Sequence, residues 1–126
     1  MVEKEVVRGR PPFSDAIKVG NTIYISGQIP KDPIEGGWAE STRGQTTQCL
    51  KNIKSILEKV GADVKSIVQM TIFLTNIADY GEMNEAFIEF FKNNGIKRDF
   101  PARSAVQVGP LMYREWYIEI DAIAVL

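Results

Sequence analysis

Pro101-Ala102-Arg103-Ser104-Ala105-Val106-Gln107-Val108 and Ile118-Glu119-Ile120-Asp121-Ala122-Ile123-Ala124-Val125 are two strand-like runs separated by a loop. The second alternates with the period of two that a strand imposes on its side chains. Glu119 and Asp121 therefore share a face with Ile123 and Val125, and that face is not wholly polar. The first run carries Arg103, whose guanidinium is a planar fork of donors that fits a carboxylate bidentately. An ionised carboxylate on a neighbouring strand can orient or deprotonate a water beside it. Arg103 and Glu119 are expected to form a site for a small carboxylated molecule.

Working outward from these runs, Ile17-Lys18-Val19 and Thr22-Ile23-Tyr24-Ile25-Ser26 flank Gly20-Asn21, a two-residue hairpin signal. Ser26-Gly27-Gln28-Ile29-Pro30 ends that strand, and Lys31 to Glu40, with Pro33 and Gly36-Gly37, reads as a loop. Thr42 followed by Gln45 reads as a capping box opening a first helix. Behind it Cys49, Ile53, Ile56, Leu57 and Val60 recur at helical spacing, with Gly61 just past the end. Ser66 to Leu74 is rich in β-branched and apolar residues and reads as a buried strand. Asp79 with Glu82 opens a second helix, with Met83, Phe87, Phe90 and Phe91 on one face and Gly95 after it.

The order is hairpin, helix, strand, helix, two strands. That is α+β, with two helices most simply packed on one face of a mixed β-sheet. The other face then needs a partner, so association is expected.

A chain of 126 residues suits one domain, 44% hydrophobic and 25% charged. Fifteen basic against sixteen acidic residues leave a net charge of −1, which argues against nucleic-acid binding driven by bulk charge. The start has no signal pattern and no apolar run approaches membrane-spanning length, so a cytoplasmic protein is expected. The chain contains no histidine and one cysteine. Ser-His-Asp and Cys-His nucleophilic systems are excluded, and so is a standard zinc site. Any enzyme chemistry must use carboxylates, arginine, hydroxyls, backbone groups and water. Cys49 lies on the apolar stripe of the first helix and reads as core. Phe87, Phe90 and Phe91 read as core as well. Lys51, Lys54, Lys59 and Lys65 are spread around the first helix and read as solvated surface.

At Ser26-Gly27-Gln28-Ile29-Pro30, Pro101-Ala102-Arg103-Ser104 and Ile118-Glu119-Ile120-Asp121-Ala122-Ile123-Ala124, the chain resembles the RidA/YjgF family of enamine/imine deaminases. The resemblance covers nearly the whole length, so residues 1–126 are expected to be one RidA-like domain. It implies a chorismate-mutase-like α+β subunit in a homotrimer, with sites in the clefts between subunits. It also implies hydrolysis of 2-imino acids and their enamine tautomers to 2-oxo acids and ammonia, without a cofactor or metal.

Carried over by position, the resemblance makes Arg103 the residue that binds the substrate carboxylate and Glu119 the one associated with the attacking water. Ser26 and Gly27 match a pocket-lining pair, and Asn84 matches a polar pocket residue. Ser26 has no histidine or lysine to activate it and reads as a pocket hydroxyl, not a nucleophile.

Two positions depart from the family pattern. Phe13 stands where the best-known members have a tyrosine, keeping the ring and losing the hydroxyl. Ala105 stands where they often have a cysteine, a smaller change if the position contributes mainly its backbone N–H. The loop from Gly109 to Glu115 also reads as slightly long. Other readings stay open: deamination of a larger enamine acid such as 2-aminomuconate, a non-catalytic small-molecule-binding regulatory trimer, and a ribonuclease or translation inhibitor.

Overall fold

The computed structural model describes residues 3–126. Strands β1 (Lys4–Val7), β2 (Ala16–Val19) and β3 (Thr22–Gln28) come first, followed by helix α1 (Thr42–Lys59). Strand β4 (Ile67–Leu74), helix α2 (Tyr80–Asn93), β5 (Ala102–Gln107) and β6 (Ile118–Val125) complete the chain. One six-stranded mixed sheet runs in the order β1-β2-β3-β6-β4-β5. Among the described residues only β4 and β5 pair in parallel, as expected for a strand, helix, strand crossover through α2.

The two helices lie together on one face of this sheet, as the hydrophobic periodicity predicts. Cys49, Leu50, Ile53, Ile56 and Leu57 of α1 share a core with Met83, Phe87, Phe90 and Phe91 of α2. The sheet contributes Ile23 and Ile25, Met70, Ile72 and Leu74, and Ile118, Ile120, Ala122 and Ala124. Along β6 these core residues alternate with Glu119, Asp121, Ile123 and Val125, which face away from the helices. That second face is open and partly apolar, with Tyr24, Val68, Val106 and Val125 exposed.

Several local expectations change. Strand β1 was not expected. Its Lys4-Glu5 start suits a sheet edge, and its pairing partner is β2, with Glu5 opposite Lys18. The first helix is capped by Ser41, whose Oγ accepts from the Gly44 N–H at 3.0 Å, not by a box at Thr42 and Gln45. Gln45 is buried and does different work. Its amide nitrogen donates to the carbonyls of Ala39 (2.9 Å) and Glu115 (2.7 Å), and its amide oxygen accepts from the Tyr117 N–H at 2.8 Å. One side chain thus ties the 31–40 loop and the 108–117 loop to the start of α1. The same two loops meet through Trp38, Tyr113 and Trp116, whose ring centroids lie 4.6–5.6 Å apart. Asp79 precedes α2, but its side chain makes no capping hydrogen bond.

The runs carrying Arg103 and Glu119 were expected on neighbouring strands, and the strand order corrects this. Strands β5 and β6 are not neighbours, because β4 lies between them. The crossover through α2 sends β5 to the outer edge, and β6 then returns to the gap between β3 and β4.

Because Gln45 is fully buried and satisfies three backbone groups, Gln45→Ala should destabilise the fold by about 2–3 kcal/mol. Urea unfolding at fixed protein concentration should show a lower midpoint with an unchanged slope. A loss below about 0.5 kcal/mol would mean that water replaces the bridge freely.

Candidate functional site

Arg103 lies on edge strand β5, paired with Met70 of β4, and so projects to the helix-covered face. There α2 builds a seat for it. Arg103 Nη1 donates to Asn84 Oδ1 at 2.8 Å, and Nη2 donates to the Tyr80 hydroxyl at 2.7 Å. The guanidinium carbon sits 4.7 Å from the Phe87 ring centroid and 5.5 Å from that of Tyr80, within cation–π range. Tyr80, Asn84 and Phe87 are spaced four and three apart, so helical geometry puts all three on one face. Asn84 was expected in the pocket, whereas Phe87 was read only as core and Tyr80 was not singled out. Their spacing around Asn84 was the signal available in the sequence.

Ala105 follows Arg103 on the same face, partly buried against the core and paired with Ile72. Val108 donates its N–H to the Leu74 carbonyl at 2.8 Å. N–H groups alternate sides along a strand, so the backbone groups of Arg103 and Ala105 point to the free edge of the sheet. The Ala105 N–H is therefore available to a ligand or a neighbouring chain.

Glu119 stands on β6, opposite Phe73 of β4, and faces the other way. Next to it β3 carries a bulge, its register slipping between Ile25 and Gln28. The bulge contains Ser26 and Gly27, where such distortions commonly re-aim side chains. A Cβ on Gly27 would lie 2.8 Å from Glu119 Cδ, so glycine is what lets the carboxylate lie against β3. Burial, and then the negative charge of Asp121, push the Glu119 carboxyl above its ordinary value. Asp121 is itself occupied, accepting from the Thr71 N–H at 3.1 Å. Ser26 Oγ donates to the Ser14 carbonyl at 2.6 Å, and the Ser26 N–H donates to the Asp15 carbonyl at 2.9 Å. These bonds draw the segment after Phe13 against β3. Phe13 itself is 58% exposed and lines a shallow cleft with Pro12 and Ser14.

The expected residues therefore fall into two groups. Arg103, Asn84 and Ala105 meet on the helix side at the β5 edge. Glu119, Gly27 and Ser26 meet at the β3–β6 bulge, with Phe13 beyond Ser26. One chain does not bring Arg103 and Glu119 together, since they project from opposite faces of the sheet. Among the described residues no cluster of acids and cysteine is arranged to hold a metal ion. No helix among them is long and apolar enough to cross a membrane.

Residues 5–126 match the family model described as Endoribonuclease L-PSP. The human protein named 2-iminobutanoate/2-iminopropanoate deaminase is 41% identical over 119 residues, covering 90% of this chain and 80% of that protein. Among solved structures, E. coli TdcF with bound serine superposes with a TM-score of 0.89 at 30% identity, covering 97% of this chain and 98% of that one. The E. coli YjgF gene product superposes with a TM-score of 0.86 at 37% identity, covering 93% and 90%.

The raised Glu119 value has a consequence for stability. Between the ordinary glutamate value and the raised one, the folded state binds more protons than the unfolded state. Stability then falls as pH rises through that window and stays lower above it. Glu119→Gln should accordingly melt higher than the parent at neutral pH. The gap should shrink as pH falls from the raised value towards the ordinary one, which thermal unfolding across pH can follow. A gap that is constant with pH would show that the carboxylate is not strained by its surroundings.

Proposed function

The chain belongs to the RidA/YjgF family, and on that premise we propose that it is a cofactor-free hydrolase of 2-imino acids and their enamine tautomers. The products are 2-oxo acids and ammonia. The observation that carries this reading is the division of the expected residues into two groups, a cation seat at a sheet edge and a carboxylate on the opposite face. At least two copies of the chain are needed to bring them together, and the family resemblance makes that assembly a homotrimer with its sites between subunits. The open, partly apolar sheet face supplies the surface for that association.

In this mechanism Arg103 clamps the substrate carboxylate through charge-assisted hydrogen bonds worth about 1.5–3 kcal/mol each. The Ala105 N–H at the free edge supplies a further donor, and Asn84 keeps the guanidinium in place. Glu119 from a neighbouring copy takes a proton from water as the water oxygen bonds to the imine carbon. The C=N π electrons move to nitrogen, and that nitrogen is protonated. Collapse of the carbinolamine forms the C=O bond, breaks the C–N bond and releases ammonia. A carboxyl value raised by burial and by Asp121 brings the base closer to neutral pH. Free imines already hydrolyse in water, so positioning supplies most of what is needed. Ser26, Gly27 and Phe13 line the substrate side of the carboxylate, with Phe13 shaping the range of side chains accepted.

The name of the human relative and the serine in the TdcF structure support a small carboxylated substrate. The ribonuclease reading in the family description draws less support from a chain with no histidine and a net charge of −1.

Light scattering at micromolar concentration should give a mass near three subunits, and a monomer would leave the site incomplete. For activity, imines generated in situ and trapped with semicarbazide should be depleted by the parent protein. Arg103→Ala should lose about two orders of magnitude of this activity. Arg103→Lys should recover little of it, because an ammonium lacks the planar fork. Glu119→Gln should lower turnover while 2-oxobutanoate still binds within a few-fold. Failure of the parent to accelerate loss of any small imino acid would reject the deaminase, and retained carboxylate binding would then favour a binding trimer.

A further inference from the structure

The Tyr80 hydroxyl accepts a hydrogen bond from Arg103 Nη2 at 2.7 Å. A phenol that accepts in this way keeps its own proton free to donate. Asn84 differs, because the atom that accepts from Nη1 at 2.8 Å is its amide oxygen, and its own donors sit on the separate amide nitrogen. Tyr80 is also 41% exposed, and among the described residues its hydroxyl donates to no other group. Phe87, by contrast, is 2% exposed and offers only its ring face. Asn84 and Tyr80 each take one guanidinium donor, and among the described residues no other group accepts from it.

We propose that Tyr80 is a further carboxylate-binding residue, donating its hydroxyl proton to one oxygen of the acid held by Arg103. This rests on Arg103 being the carboxylate clamp of the proposed site. A guanidinium attracts any anion, whereas a guanidinium flanked by a fixed O–H donor presents two directed donors to the two oxygens of one carboxylate. Selectivity for the free acid over its neutral ester follows, because an ester carbonyl is a weaker acceptor and its alkoxy oxygen weaker still. Positive charge on Arg103 polarises the phenol that accepts from it, which strengthens the outward bond.

Tyr80→Phe tests this while keeping the ring beside Arg103. Thermal unfolding first checks that the variant retains the parent melting temperature. Calorimetric titration with 2-oxobutanoate and with its methyl ester should then show the acid weakened about tenfold and the ester within about twofold, which is the loss of one directed bond to a charged acceptor. In the semicarbazide assay KM should rise by a similar factor with kcat nearly unchanged, as for binding shared by ground and transition states. Unchanged or tighter binding of the acid would overturn the proposal, the latter by showing that the hydroxyl only competes for a guanidinium donor. Equal weakening of acid and ester would overturn it too, reducing Tyr80 to a shape contact. The titrations need no turnover, so a parent that binds 2-oxobutanoate without hydrolysing imines would reject the deaminase reading and still test Tyr80.

Discussion

Everything in this molecule depends on the alternation of side chains along β6. Ile118, Ile120, Ala122 and Ala124 go into the core beneath the helices, while Glu119, Asp121, Ile123 and Val125 take the other face. A slip of one residue would bury both acids and expose the core. The pairing of β6 with β3 on one side and β4 on the other prevents that slip. The same pairing holds Glu119 against Gly27 and beside Asp121, where its carboxyl is kept above its ordinary value. A strained carboxylate costs stability, and on the proposed reading that cost is exchanged for a base suited to work near neutrality.

Arg103 is held by a different logic. Among the described residues no acid pairs with its cation; it is held by neutral oxygens and aromatic rings of α2. An aspartate there would compete with an incoming anion, whereas an amide and a phenol orient the guanidinium and leave its charge uncompensated. Helix α2 therefore serves the core with Met83, Phe90 and Phe91 while Tyr80, Asn84 and Phe87 support the cation. The loops at the other end of Gln45 and the Trp38–Tyr113–Trp116 cluster stiffen the approach to β6.

Much of this was legible in the residues. The Gly20-Asn21 turn joins β2 to β3, with Gly20 at a φ of 59°. The apolar stripes of α1 and α2 mark the buried faces, and the β6 alternation predicts which residues face the helices. Other features were not. Thr42 and Gln45 have the spacing of a capping box, but Ser41 takes the cap and Gln45 is drawn away by two loops distant in sequence. Strand β1 carries charges that give no strand signal alone, and it exists because β2 offers it an edge. Tyr80 shares a helix face with Asn84, but its hydroxyl bonds Arg103 only because strand β5 brings that residue to α2.

By itself the sequence determined both helices, strands β2 to β6, their buried faces, the family and every candidate residue but Tyr80, because side-chain period, turn chemistry and motif are written in neighbouring positions. Tertiary structure alone decided the strand order, and with it the relation between those residues. Inserting β4 between β5 and β6 and pairing Arg103 with a core position sets the cation and the carboxylate on opposite faces. Strand order is settled by which long-range pairings bury the most apolar surface for the chain as a whole, and no local stretch of residues carries that comparison.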